Sequence, residues 1–296
     1  MRRWHADLLL LCAAAIWGLA FVFQKSAMSH VGAFTFIAAR GALAALTLAP
    51  LAWLEWRRAA AAPDRAAAIA LPVLARAGAI GGVLFFLGAA LQQMGLVTAT
   101  VTNTGFLTAL YVVVTPLLVW LFEGRAPGLF VWIAVGLSFL GTWLLGGATL
   151  AGFTAGDLLV AISALFWASH VIATGRAGRL RSPVGFTAIQ FATVAVLGAI
   201  GMLLFETVSL DGLIAAAPDI AYVGLLSSAL TFTLLTVALQ YAPAAEVAVI
   251  VSTETLFAAL AAYLLLGERL TALGMVGAAL ILAATLLVQL GAASRG

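Results

Sequence analysis

Seven side chains able to hold a small molecule interrupt long apolar runs: Trp17, Arg40, Asn103, Tyr111, Trp167, His170 and Glu254. The Arg40 guanidinium can bind a carboxylate, pair with Glu254, or cap backbone carbonyls between helices. Glu254 stands among Ser252, Thr253 and Thr255. Its carboxyl can bind an ammonium, take up a coupling proton, or hydrogen-bond a neighbouring helix. Trp17 and Trp167 can wall a cavity and stack on an aromatic or cationic ligand, or pack between helices. His170, one turn beyond Phe166, is either a titrating group or a structural donor. Asn103 and Tyr111 are eight residues apart. On one continuous helix they share a face, which Thr104, Thr108 and Thr115 extend into a polar stripe, read as a cavity lining. Gln92, Gln93 and Gln190 are further polar candidates, and Lys25 is expected to snorkel to water.

The chemistry expected is binding rather than bond-making. No H-E-x-x-H, G-x-S-x-G or P-loop pattern occurs. The histidines, His5, His30 and His170, are scattered, and Cys12 is the single cysteine, so no metal site is expected. No cofactor, no nucleotide and no enzymatic activity is expected.

The elements that must position these groups follow from composition. The chain has 296 residues, 65% hydrophobic and 8% charged, with a mean hydropathy of +1.17. A soluble domain is about 45–50% apolar and about 25% charged. Too little polar surface exists here to coat a water-soluble globule, which excludes a soluble enzyme, a nucleic-acid binder and a disordered chain. A bilayer core takes roughly 20 apolar residues per helix. Spans are predicted near 7–27, 33–56, 70–94, 98–121, 127–147, 155–175, 183–205, 217–240, 244–266 and 271–291, each a continuous helix. Breaks fall at Ala62-Pro63-Asp64, Arg125-Ala126-Pro127-Gly128, Gly146-Gly147, Ser182-Pro183, Pro218 and Ala242-Pro243. The alternation of a membrane barrel is absent. The first apolar run continues to about Ala27, too long for a signal core, and no A-x-A-like cleavage site closes it, so it reads as a retained span rather than a signal peptide.

Charge gives an orientation. With the N-terminus inside, Arg2, Arg3, Arg57, Arg58, Arg65, Arg125, Arg176, Arg179, Arg181 and Arg295 lie on the cytoplasmic side, against Lys25 and Arg269 opposite. The segment from 206 to 219 is acidic, with Glu206, Asp211 and Asp219. The bias predicts cytoplasmic termini and an inner-membrane, multi-pass protein.

The sequence also repeats itself. Asp7-Leu8-Leu9 recurs as Asp157-Leu158-Leu159, Ile16-Trp17 as Phe166-Trp167, and Ala90-Leu91-Gln92 as Ala238-Leu239-Gln240. Leu121-Phe122-Glu123-Gly124-Arg125 is similar to Leu265-Leu266-Gly267-Glu268-Arg269. Two five-span halves, 1–150 and 151–296, are predicted. Five is odd, so the halves enter the membrane from opposite sides. Inverted repeats with a site near the midplane are a design of secondary transporters.

At these residues the chain resembles the EamA-type branch of the drug/metabolite transporter superfamily. The likeness rests on Ala15-Ile16-Trp17-Gly18, Ala38-Ala39-Arg40-Gly41, Gly105-Phe106-Leu107-Thr108 before Pro116, Leu264-Leu265-Leu266-Gly267-Glu268-Arg269 and Gly277-Ala278-Ala279-Leu280-Ile281. It implies an all-α membrane protein whose ten helices form two inverted repeats around a central cavity, with spans five and ten peripheral. Many family members carry a Glu-Pro pair in span nine; here it is Glu254-Thr255, without the proline that would kink the helix. The function expected is export of small amphipathic metabolites, aromatic or hydrophobic amino acids first. A multidrug or cationic-compound exporter and a facilitative channel are the alternatives. Partners expected are the small-molecule substrate, the lipid bilayer, a coupling proton and no nucleic acid, in a monomer or homodimer. Gly78 and Gly82 in span three, and Gly274 and Ala278 in span ten, are small pairs suited to close helix packing, the second of them within the chain or against another subunit.

Overall fold

Apolar runs in lipid must satisfy their own backbone, and helices do this within one segment. A computed structural model describes residues 3–61, 71–124, 126–145, 154–266 and 271–293, and every span among them is helical. The helices are α1 (Arg3–Ala27), α2 (Ala33–Ala60), α3 (Leu71–Leu96), α4 (Val101–Thr108), α5 (Tyr111–Glu123), α6 (Leu129–Leu145), α7 (Ala155–Gly178), α8 (Pro183–Phe205) and α9 (Leu210–Ala215). There follow α10 (Ala217–Ala221), a π-helical segment (Tyr222–Leu230), α11 (Thr231–Ala238), α12 (Ala244–Val251), α13 (Glu254–Leu266) and α14 (Ala272–Ala293). Eight stretches are long and apolar enough to cross a membrane, and α6 and α14 add two shorter apolar helices. Arg2, Arg65, Arg125, Arg269 and Arg295, the Ala62-Pro63-Asp64 and Gly146-Gly147 breaks, and the Gly267-Glu268-Arg269 motif lie outside the described residues.

Three spans depart from the predicted continuous helices. Span nine breaks at Ser252–Thr253 although it has no proline. Ser252 Oγ donates to the Val249 carbonyl, Thr253 Oγ1 to Ile250 and Thr255 Oγ1 to Ser252, at 2.7, 2.7 and 2.9 Å. Hydroxyls that bond back to the preceding turn compete with the helical ladder and bend it. Span four breaks at Ala109–Leu110, where tight bonds such as Leu110 N to the Leu107 carbonyl replace the α ladder. Pro116 lies just downstream; it cannot donate to the Val112 carbonyl and its ring crowds that group. Span eight carries the π segment. The two broken spans match each other: α4 and α12 each have 8 residues and α5 and α13 each have 13.

The most extensive helix contact is α2 on α8, followed by α6 on α14, α3 on α7 and α8, and α1 on α13. Gly78 and Gly82 face Ile189 and Thr193 of α8, so the first small pair sets a close approach within the chain. In span ten Gly277 makes a close approach to Gly141 of α6.

Two carboxylates tie α2 to α8 reciprocally. The N-cap of α2 is Gly32, which has no side chain to satisfy the first N–H groups. Glu206, at the far end of α8, accepts from Phe34 N and Thr35 N at 2.8 Å and from Thr35 Oγ1 at 2.7 Å. Glu55, near the end of α2, accepts from Ser182 Oγ at 2.6 Å and Gly185 N at 2.8 Å at the start of α8. Glu206→Gln turns an acceptor toward a donor and halves the charge-assisted bonding. It is expected to destabilise the protein by about 2 kcal/mol, seen as a lower thermal midpoint in detergent. Asp211→Asn, at an exposed residue, is expected to leave the midpoint in place.

Candidate functional site

Six of the seven candidate residues converge. Trp17, Arg40, Tyr111, Trp167, His170 and Glu254 line one central cavity of about 60 Å³ together with Phe21, Gln24, Gln92, Thr108, Ser227 and Phe232. Helices α6 and α14 contribute nothing to its wall. Ligand pockets measure about 300–1,000 Å³, so the walls are drawn in around the site.

The charged groups face this space without each other. Arg40 is buried; Nε donates to Ser228 Oγ at 3.2 Å and Nη1 to Gln24 Oε1 at 3.3 Å. Its guanidinium lies over the Phe85 ring, 5.3 Å from the centroid. Among the described residues no carboxylate is within ion-pairing distance of Arg40, and the Arg40–Glu254 pair that the sequence allowed does not form. Glu254 opens α13 and is also buried, and its Oε1 has no hydrogen-bond partner. Tyr111 opens α5 and interacts electrostatically with Glu254, but its hydroxyl likewise lacks a well-formed hydrogen bond. Tyr111 and Glu254 occupy matching places, each opening the 13-residue second part of a broken span. No residue identity links them, which is why the repeat comparison missed it.

Rings fill the rest. Phe85 packs edge-on against Trp167, Phe191 and Phe232 at 5.1, 4.9 and 4.9 Å between centroids, and Trp17 lies 4.8 Å from Phe232. Phe85, Phe232, Gln24 and Ser228 are members that the sequence reading did not single out. Phenylalanine in a Leu/Ala-rich span carries no signal of its own. His170 Nε2 meets Gln190 Oε1 at 2.8 Å, and Nδ1 is buried without a partner.

Asn103 lies elsewhere. The break at Ala109–Leu110 separates it from Tyr111, and its Nδ2 donates to Asp157 Oδ1 at 3.1 Å at the start of α7. Asp157 also caps α7 with Thr154. Lys25 seals the same end. Its Nζ donates to the carbonyls of Leu96, Val97 and Ala99, at 2.5, 3.3 and 3.0 Å. Leu96 is the last residue of α3 and the other two follow it, where a cation is favoured by the helix dipole.

The opposite end is held differently. Arg3 bridges Asp7 at 3.1 Å and Glu246 at 2.8 Å, and Arg176 pairs with Glu123 at 3.0 Å. Between α5, α6, α7, the 239–243 turn and α12 at this end opens a vestibule of about 850 Å³, lined in part by Glu123, Arg176, Arg179, Arg181, Gln240 and Glu246. About one helical turn separates it from the central cavity: Ile172 and Leu239 face the vestibule, Val171 and Leu235 the cavity.

With this geometry in hand, three comparisons bear on the chain. The EamA-like transporter family matches residues 4–147 and again 154–290. An uncharacterized transporter of Archaeoglobus fulgidus is 30% identical over 301 residues, covering 98% of this chain and 87% of that protein. The threonine/homoserine exporter RhtA of Escherichia coli K12 is 30% identical over 293 residues, covering 94% and 89%. A solved crystal structure, 18% identical, superposes with a TM-score of 0.77 over 100% of this chain and 99% of that one, so the two share a fold.

Proposed function

Because the chain belongs to the EamA-like transporter family, we propose that it exports small amphipathic metabolites, amino acids first, by alternating access. The protein is a multi-pass membrane transporter of that family. The finer reading rests on one observation: a buried guanidinium without a carboxylate and a buried carboxyl with an unpartnered oxygen line the same small cavity. An isolated charge at this depth is costly, about 2.5–3.5 kcal/mol on insertion scales. A zwitterion answers both at once, its carboxylate on Arg40 and its ammonium on Glu254. The amino acid cargo named for RhtA supports the same class. A cationic drug would satisfy Glu254 but meet the Arg40 charge in the same cavity, which favours the amino acid.

The remaining geometry supplies a cycle. The arginine-rich end, read as cytoplasmic in the inner membrane, carries the wide vestibule, and the Lys25 and Asn103–Asp157 contacts close the other end. Substrate enters from the vestibule once the layer of Val171, Ile172, Leu235 and Leu239 parts. The halves 1–150 and 151–296 then exchange roles and the far end opens. A facilitative channel would need both ends open together.

Counterflow in proteoliposomes tests this. Purified protein loaded with unlabelled amino acid is expected to accumulate labelled amino acid saturably, with trans-stimulation. The same assay at matched and unmatched pH reads proton coupling. Linear, unsaturable flux would identify a channel, and flux of cationic drugs without amino acids would favour the other cargo.

A further inference from the structure

Trp17 and Trp167 stand 150 residues apart at equivalent positions of the two halves, yet their indole N–H groups end differently. Trp17 Nε1 donates to the Ser227 carbonyl at 3.0 Å. That carbonyl lies in the π segment of span eight and also accepts from Thr231 Oγ1 at 2.7 Å. The equivalent span three is one unbroken α-helix, Leu71–Leu96, whose carbonyls are taken by its own ladder. Trp167 accordingly finds no carbonyl. Its Nε1 is buried without a hydrogen-bond partner, and its neighbours are the Phe85, His170 and Phe232 rings and the backbone of Gly88. No hydrogen bond joins it to His170, whose own Nδ1 is also unpartnered. An indole N–H only donates, and a buried donor left unpaired is unfavourable.

We propose that the Trp167 indole N–H is the specificity-determining donor of the central site, and that it bonds an oxygen on the substrate's side chain. The inference rests on the zwitterion reading above and goes further. The substrate ammonium accepts no hydrogen bond, and the carboxylate goes to the stronger charged partner, Arg40. What remains to meet a donor is the side chain. An apolar side chain offers no acceptor; a hydroxyl does. The surrounding rings already pack on one another, so a side chain without a further ring suits them. The site therefore selects small hydroxylated amino acids over apolar ones of the same shape. The aromatic residues that made an aromatic cargo attractive from sequence are the wall, not a partner for a further ring.

Threonine and valine have the same shape and differ by this one hydroxyl. In counterflow of labelled threonine, unlabelled threonine is expected to compete at roughly tenfold lower concentration than valine, the discrimination of one buried hydrogen bond. Trp167→Phe keeps a ring and deletes the donor, and should bring the two within about threefold. Trp17→Phe deletes a donor that already has a partner. It should leave the threonine-to-valine ratio unchanged, whatever it does to the absolute rate. Wild-type protein that treats the two alike overturns the proposal, and this arm needs no variant to fold. So does a Trp167→Phe variant that weakens both equally, because the N–H would then serve the carboxylate. If other amino acids are carried and threonine is not, this inference falls and the zwitterion reading stands. If no amino acid is carried, both fall.

Discussion

Arg40→Ala is expected to abolish transport in protein that still folds. Each hydrogen bond to a charged group contributes about 1.5–3 kcal/mol, and Arg40 can offer a carboxylate two of them. Losing the guanidinium should therefore cost at least about a hundredfold in counterflow rate at low substrate. Arg40→Lys is not expected to rescue it. A lysine cannot hold Ser228, Gln24 and a substrate together, because it lacks the planar fork of donors. Glu254→Gln should fall by a similar factor while keeping the side chain's volume. The readout is initial counterflow in proteoliposomes, with size-exclusion behaviour in detergent to report folding. Transport that persists in both variants would remove the charges from the site and with them the zwitterion reading.

Gly18→Val is the second large effect, and it acts through packing. Gly18 sits one residue beyond Trp17, where α1 crosses α13. A Cβ placed there would stand 2.5 Å from Phe257 Cβ, 2.6 Å from Ala258 N and 2.7 Å from the Glu254 carbonyl. Two of these atoms are backbone and cannot rotate away, so the helices themselves must separate. Overpacking of this kind costs typically about 1–3 kcal/mol, occasionally more. The carbonyl displaced belongs to Glu254, so the carboxyl that faces the cavity moves as well. The expected outcome is a lower thermal midpoint together with loss of counterflow. Gly136→Val, at an exposed position of α6 with nothing within 4 Å of the added Cβ, should change neither. An unaltered Gly18→Val protein would mean that α1 and α13 are not in this close contact in the working transporter.

Much of the fold is legible without coordinates. The predicted ten spans match the helices to within a few residues at most ends, since the apolar run lengths and the breaks at Ser182-Pro183, Pro218 and Ala242-Pro243 leave few alternatives. Arg40 and Glu254 stand out because each is a lone charge in an apolar run. Phe85 and Phe232 do not, because burial among rings leaves no mark on the sequence. The partners of Lys25 are hidden for a related reason. Its position near a helix end is visible, but the three carbonyls that hold it belong to residues 96, 97 and 99.

Composition and run length thus determined by themselves that this chain is a bundle of membrane helices and which few polar groups interrupt its apolar runs. Those are properties of single segments, set by the cost of exposing polar backbone to lipid. Which groups meet was decided only by the tertiary structure. Span nine breaks through hydroxyls rather than a proline, so Glu254 begins a helix at the cavity wall. One of two equivalent tryptophans finds a carbonyl because the helix facing it is π-wound, and the other does not. Such outcomes depend on the facing element, and no single segment of the sequence contains both partners.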